Sequence, residues 1–91
     1  MLNIKDGDSM LENLINKAEE KINEALQHAN NVENGIKNKT TEILNAEYCM
    51  GQFMAYMDMI EGIDLDKHVE MGEKTKEIRQ KVLEAINKIY G

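Results

Sequence analysis

The chain has 91 residues, a formal net charge of −6, no proline, no tryptophan and one cysteine. That length makes a single domain, 1–91, with a thin core that association would reinforce. The acid excess argues against non-specific binding to nucleic acid or anionic lipid. No apolar run approaches the roughly 18 residues a membrane span needs, and one cysteine supports neither an internal disulfide nor a cysteine metal cluster.

Residues 1–8 read as a flexible polar lead-in, without the basic-then-apolar order of a signal peptide. Ser9-Met10-Leu11-Glu12 matches a capping box, in which the serine hydroxyl and the glutamate satisfy each other's backbone N–H groups. The spacing predicts a first helix over about 9–33. Its apolar stripe is Leu11, Ile15, Ala18, Ile22, Ala25, Ala29 and Val32, widened by Leu14 and Leu26. Its outer face is acidic and includes Glu19, Glu20 and Glu24.

Asn34-Gly35 favours positive φ, and the asparagines around it compete for backbone hydrogen bonds, so the chain is expected to break within 34–38. The apolar rhythm nevertheless continues in phase through Val32, Ile36 and Ile43. An alternative is therefore one long helix over 9–61 with a C-terminal helix folded back on it.

A second helix is expected over about 38–61, and the rest of the chain is organised around it. Ile43, Ala46, Met50, Phe53, Met57 and Ile60 form its seam. The positions beside the seam are apolar too, so this helix should touch more than two neighbours. Cys49, Met54 and Met59 are the expected dimer surface, together with Tyr56. Gly62 is expected to end the helix in a left-handed conformation, and Asp64 to cap the next.

The third helix, about 64–89, carries Glu70–Lys74, Glu77–Lys81 and Glu84–Lys88 at i,i+4, which reads as its solvent side. The opposite face then holds Leu65, His68, Gly72, Thr75, Arg79, Val82, Leu83, Ile86 and Tyr90. A tight turn between the second and third helices pairs residues whose numbers sum to about 126. This sets Arg79 against Glu47 in an ion pair near Tyr48, and His68 against Asp58. It also brings Gly72 near Met54 and Thr75 near Gly51.

The expected fold is all-α, an antiparallel three-helix bundle that self-associates as a homodimer or higher oligomer. No enzymatic motif has its context. Glu61-Gly62-Ile63-Asp64 and Glu70-Met71-Gly72-Glu73 have the spacing of magnesium-binding acid pairs, but the first straddles a helix end. The methionines at helical spacing read as core rather than copper ligands, and Cys49 reads as a buried, unreactive thiol. No catalytic residue, metal or cofactor is expected.

The reading is a small acidic cytoplasmic interaction module, a regulator or inhibitor whose Glu19, Glu20 and Glu24 dock on a partner protein's basic groove. In type it resembles the small acidic helical inhibitors of phages and mobile elements. The alternative is a binder of a small anionic ligand, with Glu47, Tyr48, Tyr56, Arg79 and His68 around a pocket at a subunit interface.

Overall fold

The computed structural model describes residues 4–35 and 38–90, with side chains at 9–35 and 38–89. All its regular elements are helices: α1 (Ile4–Glu33), α2 (Lys39–Ile63), α3 (Leu65–Lys74) and α4 (Lys76–Tyr90). No strand occurs among the described residues. The molecule is a rod of 51 × 21 × 16 Å. A helix of thirty residues is about 45 Å long, so α1 alone runs most of its length.

α1 starts at Ile4. The expected lead-in is thus helical from residue 4 on, residues 1–3 lie outside the described set, and Ser9 sits inside the helix rather than capping it. With no proline in the chain, nothing in 4–8 forbids extension toward the N-terminus.

The break after α1 is made by Gly35, whose φ of +65° is a conformation that costs a Cβ-bearing residue most. Its N–H reaches the Val32 carbonyl at 3.2 Å, closing the helix end. Residues 36 and 37 lie outside the described set. Asn38 then opens α2, its side chain accepting from the Thr41 N–H at 3.1 Å. α1 and α2 are therefore two helices packed on each other, not one long helix over 9–61.

Gly62 does not terminate α2. The helix continues to Ile63 with Gly62 at ordinary helical φ, and the chain turns at the extended Asp64 (φ −153°). Asp64 makes the turn by itself. Its N–H still bonds the Ile60 carbonyl at 2.8 Å while its carboxylate accepts from the Lys67 N–H at 3.1 Å, capping α3.

The expected third helix is bent at Thr75. Backbone bonds from Thr75 to Met71 and from Arg79 to Thr75 carry the helix across the bend. The Thr75 hydroxyl donates to the Met71 carbonyl at 2.8 Å. Back-bonding of this kind competes with the helical ladder and tilts it.

Two apolar clusters hold the rod together. The first joins Ala18 and Ile22 to Phe53, Met57, Ile60 and Met71, with Leu11, Leu14, Ile15, Met50, Tyr56 and Ile78 packed against it. The second joins Ala25 and Ala29 to Ala46, Cys49, Val82 and Ala85. Numbers rise along α1 as they fall along α2. The buried alanines of α1 let α2 approach closely, and α1–α2 is the most extensive helix contact in the chain. Phe53 fills the space this leaves, and burying a side chain of that size contributes about 1.5–3 kcal/mol.

The inner line of α3–α4 is Met71, Thr75, Ile78, Val82 and Ala85. This is rotated from the expected face, which leaves Leu65 and Leu83 exposed. The side chain of Tyr90 lies outside the described set. The same rotation brings lysines of α3 and α4 within reach of α1. Lys74 reaches Glu19 at 3.1 Å and Lys88 reaches Glu33 at 3.2 Å, both on α1, instead of Glu70 and Glu84 one turn back.

Candidate functional site

α2 carries apolar groups on the side away from its core as well as toward it. Leu44, Tyr48, Met59 and Ile63 recur at near-helical spacing, with Gly51 and Ala55 between them, so they form one row. Tyr48 is 68% exposed and Met59 is 53% exposed, and Leu44 and Ile63 are alike. Gly51 would meet nothing within 4 Å if it carried a Cβ. The polar tie to this row among the described residues is weak: the Gln52 amide donates to the Tyr48 hydroxyl at 3.4 Å.

Of the residues expected on a dimer surface, Met59 lies in this row. Met54 is exposed on a neighbouring side. Cys49 is buried against Ala25, Ala29 and Ala46 and cannot contribute to an exterior contact. Tyr56 is half-buried and packs on the first cluster. The error at Cys49 is one of helix phase: its position falls on the α1 side of the seam, where small residues admit a sulfur.

The expected Glu47–Arg79 ion pair is not formed among the described residues. Glu47 is exposed. Arg79 turns back along its own helix, donating from Nη2 to the Gly72 carbonyl at 2.6 Å and from Nε to the Thr75 hydroxyl at 3.3 Å. Side chains on a helix lean toward its N-terminus, and the bend at Thr75 presents a carbonyl within reach. The facing-residue rule itself holds well at the turn. His68 Nδ1 meets the Met57 carbonyl at 2.9 Å, and Nε2 lies 3.4 Å from Glu61.

Arg79 and His68 therefore share a hollow of about 250 Å³ with Phe53, Met54, Met57, Asp58 and Gly72. The expected neighbours Met54 and Gly72 both line it. An adjoining hollow of about 440 Å³ has His68, Gly72 and Arg79 in common with it and adds Lys76, Val69 and Leu83. Tyr48 and Tyr56 line neither, so the expected five-residue pocket is not assembled within one chain.

A polar line on the α1–α2 seam has no counterpart in the sequence reading. Glu42 is 3% exposed and faces His28 Nδ1 at 2.5 Å and the Asn31 amide at 3.3 Å. Further along, Glu24 accepts from Lys21 at 3.2 Å and from the Cys49 thiol at 3.7 Å. Burial first, and then the Glu24 carboxylate, push the Cys49 thiol above its ordinary 9.0. The Glu24 hydrogen bond raises Lys21. The facing-residue rule, applied to the break at 34–38 as well as to the second turn, gives sums of about 72 and sets Glu42 against Asn30 and Asn31, one turn from His28.

Internal pairing also uses up part of the acidic face of α1. Glu19 is bound by Lys74 and Glu24 by Lys21, while Glu20 is exposed. No group of three or more metal-binding side chains occurs among the described residues, and no described helix is long and apolar enough to cross a membrane. No family model matches this chain, and comparison with curated proteins and with solved structures returns no match.

Proposed function

We propose that this chain is a non-catalytic interaction module, an antiparallel three-helix bundle that self-associates through the outer row of α2 and regulates or inhibits a cytoplasmic partner protein. The carrying observation is that α2 buries Ile43, Ala46, Phe53, Met57 and Ile60 within the chain while Leu44, Tyr48, Met59 and Ile63 stay open to water. A rod 16 Å thick has little interior, and a second apolar surface on its central helix offers the burial that the interior lacks.

The row suits pairing with itself. Arranged antiparallel about a point between Gly51 and Gln52, Leu44 faces Met59 and Tyr48 faces Ala55, large against small. Gly51 lies at the crossing, where a missing Cβ lets two backbones approach. Glu47 and Asp58 share one flank of the row, so the pairing sets acids beside acids, and added salt favours it. Glu19 and Glu24 are engaged within the chain, so the contact is assigned to α2 rather than to the acidic face of α1.

Native mass spectrometry and light scattering test the proposal. The expected result is a dimer or larger species for the wild type, and a monomer of unchanged helicity for Tyr48→Lys/Met59→Lys. A wild type that stays monomeric at high micromolar concentration and raised salt would overturn it.

A further inference from the structure

We infer that the cleft between α2 and the bent α3–α4 pair is a binding site for a small monocarboxylate with an apolar body. The site lies away from the outer row of α2 and does not rest on self-association.

One donor group is held in place before any ligand arrives. Arg79 is pinned by the Gly72 carbonyl at 2.6 Å and by the buried Thr75 hydroxyl at 3.3 Å. The His68 ring beside it is already engaged, Nδ1 on the Met57 carbonyl at 2.9 Å and Nε2 facing Glu61 at 3.4 Å, so it walls the site without donating to a ligand. The bonds made by Arg79 leave guanidinium N–H groups unspent, because the group has five. Lys76 lines the same wall. Neither Arg79 nor Lys76 forms an ion pair with a carboxylate among the described residues. A fixed, planar cation without a carboxylate is the arrangement that receives an oxyanion through two parallel bonds.

The walls decide what carries that oxyanion. Phe53, Met54 and Met57 line the hollow beside α2, and Val69 and Leu83 line the adjoining one on α3–α4, with Arg79 common to both. Met54, Val69 and Leu83 are each about half exposed, so the mouth of the cleft is apolar and uncovered within the chain. Asp58 and Glu73 also line the two hollows, and the whole chain carries −6. That surrounding charge disfavours a dianion such as a phosphate and leaves a single carboxylate as the better fit. The larger hollow, about 440 Å³, is the size of a small-molecule site.

The bend at Thr75 gives Arg79 a structural duty as well, because its guanidinium satisfies the Gly72 carbonyl. The test must separate the two roles, and Lys76 does so, being exposed and without a side-chain hydrogen bond or ion pair among the described residues. Octanoate, octylammonium and inorganic phosphate are titrated separately into ¹⁵N-labelled protein and followed by NMR. Octanoate is expected to give saturable shifts at His68, Gly72, Lys76 and the Arg79 Nε–H, and the other two are not. Lys76→Glu should weaken octanoate roughly three- to tenfold with helicity unchanged. Arg79→Lys, which keeps the charge and loses the planar fork, should weaken it further. Absence of saturable shifts at these residues, equal shifts from octylammonium or phosphate, or unchanged binding by Lys76→Glu would each overturn the proposal.

Discussion

His28 and Glu42 meet at 2.5 Å across the α1–α2 seam, and Glu42 is the one charged residue among those described whose side chain is withdrawn from water. A carboxylate placed there costs desolvation that only its partners offset. His28→Ala removes one of them; Asn31 at 3.3 Å is another. The expected loss is about 1–3 kcal/mol, read as a lower denaturation midpoint at unchanged slope. The double variant His28→Leu/Glu42→Met, which takes both polar groups out together, should lose less than the two single changes added. Strict additivity would show that the two side chains are not coupled.

Cys49 should behave as a protected thiol. Burial and the neighbouring Glu24 hold its proton, so thiol reagents should react slowly with the native chain and fast after denaturation. The same shift sets a pH dependence. The unfolded chain releases this proton near the ordinary 9.0, whereas the folded chain keeps it to higher pH. The contribution is complete below that value and is lost as pH rises through the folded pKa. Denaturation midpoints should fall less steeply in alkali for Cys49→Ala than for the wild type. Identical slopes would remove the assignment.

Two glycines should respond in opposite directions to the same substitution. Gly35 sits at φ +65°, and Gly35→Ala should destabilise by about 1 kcal/mol because the added Cβ crowds its own backbone. Gly51 is in mid-helix with open space beside it, and Gly51→Ala should stabilise the monomer by roughly 0.5–1 kcal/mol. The same methyl at the proposed crossing point should loosen self-association. Thermal melts at low concentration and light scattering at high concentration measure the two effects apart.

Thr75→Val keeps the shape of a buried side chain and deletes its hydroxyl. That hydroxyl donates to Met71 and accepts from Arg79, so the loss is expected at about 1–2 kcal/mol. Loss of the accepting oxygen should also free the Arg79 side chain, visible as a narrower, shifted Nε–H resonance. A variant as stable as wild type with Arg79 unchanged would mean that the hydroxyl does not hold the bend.

The apolar rhythm carried the helices and the buried faces of the first two. Ala18, Ile22, Ala25 and Ala29 on one helix and Ile43, Phe53, Met57 and Ile60 on the next are legible because a helix repeats every 3.6 residues whatever it packs on. Asn34-Gly35 and Asp64 marked the chain reversals through local backbone chemistry. The partners of the long polar side chains were decided only in three dimensions. Lys74 and Lys88 choose α1 over their own helix, Arg79 folds back to Gly72, and Glu42 is buried rather than solvated. A lysine or arginine reaches over more than one helical turn, so several acceptors compete for it, and which one wins depends on the rotation of each helix about its axis. That rotation is set by packing of the whole bundle and leaves no mark on spacing along the chain.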